Sequence, residues 1–225
     1  MRFLLLAVLA AIAIPVMAQR TARPPGIISS LHALDSSVAA RPGSALVSLP
    51  QFIPGIVLDI RYATPHNFTG KSQYTQDAAW LRLHPAQALR QVQEALHKKG
   101  LSLKIYDAYR PYSVTCALWA ATAQKRYVAN PRRGSHHNRA TAVDLTIIDL
   151  KTGRELDMGT GFDNFTDSAH HSFTALPPQV LANRRLLRSL MWQNGFTYVP
   201  TEWWHYHWRV KDFPLLDIPF EQLHP

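Results

Sequence analysis

Hydrophobic positions along the 225-residue chain follow two patterns, one typical of strands and one typical of helices. Short runs rich in Val, Ile, Leu and Tyr, bounded by Gly, Pro or polar residues, indicate strands. Longer segments with apolar residues three and four positions apart, which begin near Pro and end near Gly, indicate amphipathic helices. The predicted strands are Ile56–Tyr62, Leu101–Tyr109, Ala142–Leu150, Phe196–Val199 and Trp203–Val210, and the predicted helices are His84–Lys99, Ser113–Gln124 and Pro178–Asn194.

This mixture of strands and helices predicts an α+β fold in a single domain over residues 49–225. Hydrophobic residues make up 47% of the chain, which is enough for one sizeable core. No internal repeat is present, and a long loop over Glu155–Ser172 is the main irregular segment. The sequence shows no sign of a second domain.

The N-terminal segment has the layout of a secretory signal peptide. A short basic start, Met1-Arg2, precedes an almost unbroken apolar run, and Val16-Met17-Ala18 has the form of a small-x-small cleavage site. We predict a signal peptide over residues 1–18, cleaved after Ala18, and a periplasmic or secreted mature protein with no stable membrane insertion. The alternative is an uncleaved anchor, although the run is shorter than the roughly 20 residues that span a bilayer.

Residues 19–48 differ from the rest in being rich in Pro, Ala, Ser and Arg with little periodicity. Such a composition is typical of a linker or a loosely packed arm. The only stretch with helical character is Ile28–Ala39, and its pattern is weak. We therefore predict an N-terminal arm or linker over residues 19–48.

The charge of the chain is basic, with 24 Lys and Arg against 15 Asp and Glu and a formal net charge of +9. A basic surface can attract nucleic acid or an anionic cell envelope. The basic residues are scattered, however, and no stripe interleaves them with aromatic residues. We therefore expect a solvated positive surface on an envelope protein and no nucleic-acid partner.

Two stretches far apart in the sequence carry residues that suit one zinc ion. Asp144 lies near the start of a strand that reads as buried, and His137 precedes it by seven residues. A buried carboxylate is costly unless it is paired or bound to a metal. The seven-residue spacing from His137 to Asp144 alone makes a metal site and a metal-free role equally plausible. Glu202 and His205, three residues apart, favour the metal, but a bend must bring both to one ion. Zinc in hydrolases takes three protein ligands, imidazole nitrogens or carboxylate oxygens, and leaves a fourth position for water.

With these stretches, the chain resembles the zinc D-Ala-D-Ala dipeptidases, the VanX-like enzymes, which are relatives of the zinc DD-carboxypeptidases. Ser135 to Asp144 and Glu202 to His205 follow the family's two zinc segments. The resemblance covers nearly all of residues 56–210 and implies a hedgehog-type fold with a central, mostly antiparallel sheet and flanking helices. Further matching islands are Arg61–Thr64, Asn67–Gly70, Asp107–Pro111, Asp157–Gly159, Phe162-Asp163, His170-His171, Arg184–Leu187 and Tyr206.

The resemblance implies a metallopeptidase with one Zn²⁺ per chain, bound by His137, Asp144 and His205. Glu202 matches the general base that takes a proton from water and passes it to the leaving amine, a role that contributes roughly 10²- to 10⁴-fold. Arg110 matches the arginine that stabilises charge developing on the scissile carbonyl. Such preorganised charge is typically worth about 3–4 kcal/mol.

Three further residues match positions that line the family's substrate pocket. The resemblance implies that Asp163 lies near the substrate ammonium and that Tyr62 lines the same site. Ser135 matches a serine that can donate a hydrogen bond to the substrate carboxylate. These three residues complete the expected site.

The sequence departs from the family pattern at two places. Ala140 stands where the family usually has Gly, so this loop must avoid positive φ or accept strain. The segment between Arg110 and Ser135 is shorter than in the resistance-type enzymes. Because that segment shapes the pocket, strict dipeptide specificity stays open at this point.

We therefore expect zinc-dependent hydrolysis of D-alanyl-D-alanine to D-alanine, in cell-wall peptide turnover or recycling. The expected partners are the small dipeptide and peptidoglycan fragments. One alternative is a zinc DD-carboxypeptidase or endopeptidase that acts on peptidoglycan stem peptides through an open pocket. Another is a non-catalytic envelope-binding module, which the presence of both Glu202 and Arg110 disfavours.

Overall fold

A computed structural model of the chain describes residues 23–210 and 213–224. Within these residues, short 3₁₀ turns join seven strands and five helices. The helices are α1 (Leu31–Ala40), α2 (Leu49–Phe52), α3 (Leu83–His97), α4 (Tyr112–Ala121) and α5 (Pro178–Gln193). The strands are β1 (Leu46–Ser48), β2 (Val57–Leu58), β3 (Trp80–Arg82), β4 (Leu101–Asp107), β5 (Ala142–Asp149), β6 (Phe196–Tyr198) and β7 (His205–Trp208).

Five of the strands form a central sheet in the order β2-β4-β5-β7-β6, and β1 pairs with β3 in a small separate sheet. β2 runs parallel to β4, whereas the other three neighbours in the central sheet are antiparallel. The two longest strands, β4 and β5, lie inside the sheet, and β5 is buried along almost its whole length. The predicted α+β class and the mostly antiparallel sheet are confirmed.

The register of the central sheet brings three acidic or imidazole side chains together. Asp144 on β5 lies opposite Asp107 on β4 and opposite His205 on β7. The pairing of β4 with β5 shifts between Ile105 and Asp107, and such an irregularity re-aims the side chains at the end of a strand. The sheet therefore provides a rigid mounting for these residues.

The helices α3 and α5 cover the sheet with their apolar faces. Leu89, Val92 and Leu96 on α3 are fully buried, and burying a leucine stabilises the fold by roughly 1.5–3 kcal/mol. Gln93 on the same helix is also buried, and its side-chain oxygen accepts a hydrogen bond from the backbone N–H of Leu103 at 2.8 Å. This contact fixes α3 against β4.

The structure shortens two predicted strands and adds one that the sequence did not predict. The strand expected over Ile56–Tyr62 is limited to Val57–Leu58, because the chain turns at Arg61–Ala63 and the carbonyl of Tyr62 accepts bonds from a later loop. The last strand begins only at His205, since a turn occupies the residues before it. β3 was not predicted, because three residues that lead directly into a helix show no alternation.

Residues 23–48 pack against the domain, which differs from the loosely packed arm that their composition predicts. α1 is capped by Ser30, whose side chain accepts from the backbone N–H of Ala33, and its Leu34 is buried. The backbone N–H of Ile28 donates to the carbonyl of Leu215 at 2.9 Å. Pairing of β1 with β3 adds further backbone bonds, which composition alone does not reveal.

The predicted signal peptide over residues 1–18 lies outside the described residues, and its cleavage site stays a prediction. Among residues 23–210 and 213–224, no helix combines the length and the apolar character required to cross a membrane. The proposed boundaries at residues 18 and 48 are likewise predictions.

Candidate metal centre and catalytic pocket

Three buried side chains that the sequence singled out converge on one point. His137 begins a 3₁₀ turn, Asp144 lies on β5 and His205 begins β7. Asp144 Oδ1 is 2.9 Å from His205 Nδ1, Asp144 Oδ2 is 3.4 Å from His137 Nε2, and these two nitrogens are 3.2 Å apart. The three residues could therefore hold a metal ion. Their predicted places, His137 in a loop and Asp144 near the start of a strand, are confirmed.

The spacing and orientation of these ligand atoms fit a divalent ion. Bonds of about 2.1 Å in a tetrahedral zinc site separate ligand atoms by about 3.4 Å, close to the 2.9–3.4 Å separations here. His137 Nδ1 donates to the carbonyl of Ala108 at 2.6 Å, which leaves the Nε2 lone pair directed at the cluster. Burial would raise the pKa of Asp144, but the neighbouring His137 and His205 hold it below its usual range.

Acidic groups outnumber basic groups around the cluster, which also suits a cation. Four carboxyl groups, those of Asp107, Asp144, Asp163 and Glu202, surround the buried guanidinium of Arg110. Burial, followed by the negative charges of Asp144 and Asp163, raises the pKa of Glu202 well above its usual value. Burial and the charge of Asp144 also raise the pKa of Asp163 to about 7. A bound divalent cation would offset this excess, since nearby positive charge favours ionised carboxylates.

Arg110 is held beside the cluster by a buried ion pair. Its Nε and Nη2 atoms donate to Asp107 Oδ2 at 3.0 and 2.6 Å. Asp107 is fixed in turn by the hydroxyl of Tyr74, which donates to Oδ1 at 2.7 Å. The guanidinium lies 5.1 Å from the ring centre of Tyr62 and 3.9 Å from Asp144 Oδ2. A cation fixed in this way can stabilise negative charge on a substrate oxygen.

Glu202 reaches the cavity because the chain bends between β6 and β7. The backbone N–H of Glu202 donates to the carbonyl of Val199 at 3.2 Å, and that of Trp203 donates to the carbonyl of Ala169 at 3.1 Å. Glu202 and His205 consequently line the same cavity, although they would face opposite sides of a regular strand. The bend expected from their spacing is confirmed.

The three residues expected to line the substrate pocket also meet here. The hydroxyl of buried Tyr62 donates to Asp163 Oδ2 at 2.9 Å, across 101 positions of sequence. Ser135 Oγ accepts from the backbone N–H of His137 at 3.1 Å and so helps to shape the ligand turn. All three side chains line the cavity that contains the metal-ligand cluster.

Ala140 follows the ligand turn in the left-handed conformation, with φ 54° and ψ 41°. The sequence left open whether this position avoids positive φ, and the structure shows that it does not. An alanine in this region carries roughly 1–2 kcal/mol of strain. The backbone N–H of Ala140 donates to the carbonyl of His137 at 3.0 Å, and its carbonyl accepts from Arg82 N at 2.9 Å. These bonds preserve the turn without the glycine.

Sequence reasoning missed the aromatic side of the cavity. Tyr127 and Phe165 line it with Phe68, yet all three lie in loops without any periodic pattern. Phe68 belongs to a segment that matches the family, and this was the only available signal. Asp107, likewise inside a matching segment, was not assigned its role of holding Arg110.

Comparisons with known proteins identify the family that the chain resembles. Residues 43–217 match the family Peptidase_M15, described as D-ala-D-ala dipeptidase. A D-alanyl-D-alanine dipeptidase of Escherichia coli (strain K12) is 38% identical over 176 residues, which cover 78% of this chain and 91% of that protein. A D-alanyl-D-alanine dipeptidase of Enterococcus faecium is 33% identical over 189 residues, which cover 74% and 92%.

One solved structure with a similar chain is that of the LdcB LD-carboxypeptidase, which concerns peptidoglycan recognition. It is 20% identical, with a TM-score of 0.43, and the match covers 75% of this chain and 70% of that chain. The sequence relatives, in contrast, match nearly their whole length.

Proposed function

The chain belongs to the D-alanyl-D-alanine dipeptidase family of M15 peptidases, and we propose that it hydrolyses free D-alanyl-D-alanine to D-alanine with one zinc ion. The observation that carries this proposal is the convergence of three buried ligand atoms in the cavity that Glu202 and Arg110 also line. A metal-ligand set, a base and a cation in one cavity are what hydrolysis of an amide requires.

His137, Asp144 and His205 would hold the metal ion. Two imidazoles and one carboxylate form a ligand set typical of catalytic zinc. When bound, zinc would polarise a carbonyl oxygen and lower the pKa of a coordinated water to about 7. The buried position of the three ligands also excludes bulk solvent, which strengthens electrostatic interactions.

The two ends of the dipeptide would be bound by different residues. Asp163 receives the substrate ammonium, whose positive charge lowers the pKa of this carboxyl group from its raised value and keeps it ionised. The Tyr62 hydroxyl, which donates to Asp163 at 2.9 Å, holds the carboxylate in place. The Ser135 hydroxyl donates to the substrate carboxylate at another part of the cavity wall.

Glu202 and Arg110 would carry the proton and the charge during hydrolysis. Glu202 accepts a proton from the attacking water and delivers it to the leaving amine. Arg110 stabilises the negative charge that develops on the scissile carbonyl oxygen, and its pairing with Asp107 fixes its position before the substrate binds. Arginine suits this role because it stays charged at any working pH.

The size of the cavity supports a small substrate. Its volume of ≈ 250 Å³ lies below the roughly 300–1,000 Å³ of pockets that bind drug-sized ligands. A free dipeptide fits such a cavity better than a stem peptide does. We therefore favour dipeptide hydrolysis over carboxypeptidase or endopeptidase activity on peptidoglycan stems.

The physiological role that we propose is recycling of wall-derived dipeptide outside the cytoplasm. It rests on the signal-peptide pattern of residues 1–18, since an exported enzyme meets wall fragments and not the cytoplasmic dipeptide pool. Fractionation of cells that produce the native chain should place the activity in the periplasm or the medium. Activity confined to the cytosol would contradict this role.

A substrate panel on the zinc-loaded protein tests the proposed function. We expect rapid release of D-alanine from D-alanyl-D-alanine, and much slower hydrolysis of L,D- and L,L-dipeptides and of a pentapeptide stem. Preferential cleavage of the stem would support the carboxypeptidase alternative instead. No hydrolysis of any substrate by the metal-loaded protein would support the non-catalytic module.

A further inference from the structure

The wall of the cavity carries an aromatic stack that joins two loops distant in the sequence. Tyr127 lies in the 3₁₀ turn after α4, and Phe165 lies in the long loop between β5 and α5. Their rings are 4.8 Å apart, centre to centre, and nearly parallel at 8°. Phe68, from a third loop, approaches Phe165 at 5.2 Å. Three loops therefore meet at one place on the cavity wall.

Polar contacts fasten the same two loops together. Arg126 Nη2 donates to the Tyr127 hydroxyl at 2.7 Å and lies 3.7 Å from Asp167 Oδ1 on the facing loop. The Tyr127 hydroxyl is also 3.4 Å from His170 Nε2. Tyr127 is only 8% exposed, although the turn that carries it is at the surface. The ring of Tyr127 is therefore a buried part of the wall.

The position of the stack relates it to one end of the substrate. Phe165 is two residues from Asp163, and Phe68 contacts the ring of Tyr62 at 6.2 Å. Tyr62 in turn donates to Asp163. The stack therefore stands beside the carboxylate that, in the proposed function, receives the substrate ammonium.

A stem peptide differs from the free dipeptide at that end alone. Its terminal D-Ala-D-Ala carries an acyl group in place of the ammonium, so the extra residues must leave the cavity past Asp163. They would meet the rings of Phe165 and Tyr127. The acylated nitrogen would also leave Asp163 without its cationic partner, which is unfavourable for a desolvated carboxylate.

We infer that the Tyr127–Phe165 stack is the specificity-determining element that restricts this enzyme to free dipeptides by closing the cavity at the amino end of the substrate. This inference rests on the proposed dipeptide hydrolysis and adds to it the two residues that exclude peptides extended at the amino end. It also gives a function to the short segment between Arg110 and Ser135, because that segment supplies Tyr127.

The test compares two substrates on wild type and variants, with D-alanine release as the readout. The substrates are D-alanyl-D-alanine and a stem mimic, N-acetyl-L-lysyl-D-alanyl-D-alanine. The variants are Phe165→Ala and the double variant Tyr127→Ala/Phe165→Ala. Tyr127→Phe keeps the ring and Phe173→Ala removes a half-buried aromatic side chain of the same loop that does not line the cavity. Zinc content and thermal unfolding are measured on every protein.

We expect the double variant to raise the ratio of kcat/KM for the stem mimic to kcat/KM for the dipeptide by at least about tenfold. A tenfold change corresponds to ~1.4 kcal/mol. The expected change is modest because Asp163 still disfavours the acylated nitrogen in the double variant. Phe173→Ala should keep the wild-type ratio. Tyr127→Phe keeps the stacked ring but loses the contacts of its hydroxyl, so it should raise the ratio less than the double variant does. A folded, zinc-loaded double variant whose ratio stays within twofold of wild type would overturn the inference.

Two further outcomes separate this inference from the proposed function. Wild-type protein that cleaves both substrates equally well would refute the role of the stack while leaving dipeptide hydrolysis intact. Wild-type protein that cleaves neither would refute the proposed function itself. If the double variant does not fold, Phe165→Leu, which keeps an apolar contact but removes the stacked ring, is held to the same twofold criterion.

Discussion

The metal-ligand cluster and the substrate wall share one cavity but are held in different ways. In the cluster, backbone pairing between β5 and β7 places Asp144 opposite His205. The substrate wall consists of residues 157–172 and the turn Lys125–Tyr127, where the structure has only short 3₁₀ turns. The backbone ladder therefore positions two of the three ligands, Asp144 and His205, whereas side-chain contacts hold much of the wall.

Arg184 on α5 makes the most extensive of those side-chain contacts. Its guanidinium donates to three carbonyls of the loop, those of Met158, Ser168 and His170, at 2.7, 2.9 and 3.2 Å. The neighbouring Asn183 donates to the carbonyl of Asp157 at 2.9 Å. Function built on loops over a rigid scaffold is common in enzymes. Changes in the cluster should therefore abolish the chemistry, and changes in the wall should alter substrate binding and choice.

The largest effect on the cluster side that leaves the metal in place should come from Glu202→Gln. The amide keeps the size of the side chain but cannot accept the proton, so kcat should fall by roughly 10²- to 10⁴-fold. Zinc content should stay at the wild-type level. Glu94→Gln, an exposed change on α3, serves as the control. Wild-type kcat in Glu202→Gln would refute the assignment of the base.

Arg110→Lys tests whether a fixed guanidinium beside the cluster is needed. Lysine keeps the charge but cannot reproduce both hydrogen bonds to Asp107, so the cation is displaced from the developing oxyanion. We expect kcat to fall by about 10²- to 10³-fold. Arg90→Lys, on the exposed face of α3, should have wild-type kinetics. A change confined to KM would mean that Arg110 binds substrate and does not stabilise the transition state.

Arg184→Met tests the wall side of the comparison. Without the guanidinium, three loop carbonyls lose their donors and the loop that carries Asp163 loosens. We expect KM for the dipeptide to rise by about tenfold, since a hydrogen bond to a charged group is worth roughly 1.5–3 kcal/mol, while kcat changes little. Arg184→Lys should raise KM less than Arg184→Met does, and exposed Arg185→Met should leave KM unchanged. An equal loss in kcat, with KM unchanged, would contradict the division between wall and cluster.

The smallest expected effect is a pH dependence of the free energy of unfolding that comes from His171 in the wall. Burial, followed by the positive charges of Arg188 and Arg184, lowers the pKa of His171 to about 3. The folded protein therefore binds fewer protons there than the unfolded chain, whose histidine has a pKa near ~6.5. This contribution to stability is present above about pH 6.5 and is lost as the pH falls toward 3.

Urea unfolding at pH 7 and pH 5 measures this contribution. When the pH falls from 7 to 5, the free energy of unfolding should decrease by about 1–2 kcal/mol more in wild type than in His171→Phe. Phenylalanine preserves the ring contact with Tyr198, which lies 4.4 Å away, and has no proton to bind. Equal losses in both proteins would show that His171 is not kept neutral by the fold.

The same contrast explains what the sequence could predict. The strand around Asp144 and the preceding loop with His137 follow from local pattern and spacing, and both are confirmed by β5 and its 3₁₀ turn. The contact of Tyr62 with Asp163 joins residues 101 positions apart, and no local pattern encodes it. It was expected only through a family resemblance. Neither a local pattern nor the family resemblance indicated the stack of Tyr127 on Phe165, so it was not predicted.

Backbone strain set a second limit on prediction. Ala140 and Asp163 are the non-glycine residues with positive φ among those described, at 54° and 55°. Glycine is the usual residue in this region, so neither sequence position signals it. For Ala140, comparison with the family glycine raised the question but could not decide between strain and a different turn. A local hydrogen bond to His137 and a tertiary one from Arg82 hold Ala140 in the strained turn.

Metal content measured together with activity on the same sample tests the central claim most directly. The wild-type chain should carry one zinc ion, and His205→Ala should lose the ion and lower kcat/KM by on the order of 10³-fold, since metal catalysis supplies several kcal/mol. His66→Ala, a change at an exposed histidine, should keep the zinc ion and the wild-type kcat/KM. Full activity in wild-type protein stripped of metal, or one zinc ion and full activity in His205→Ala, would contradict a catalytic metal held by His137, Asp144 and His205.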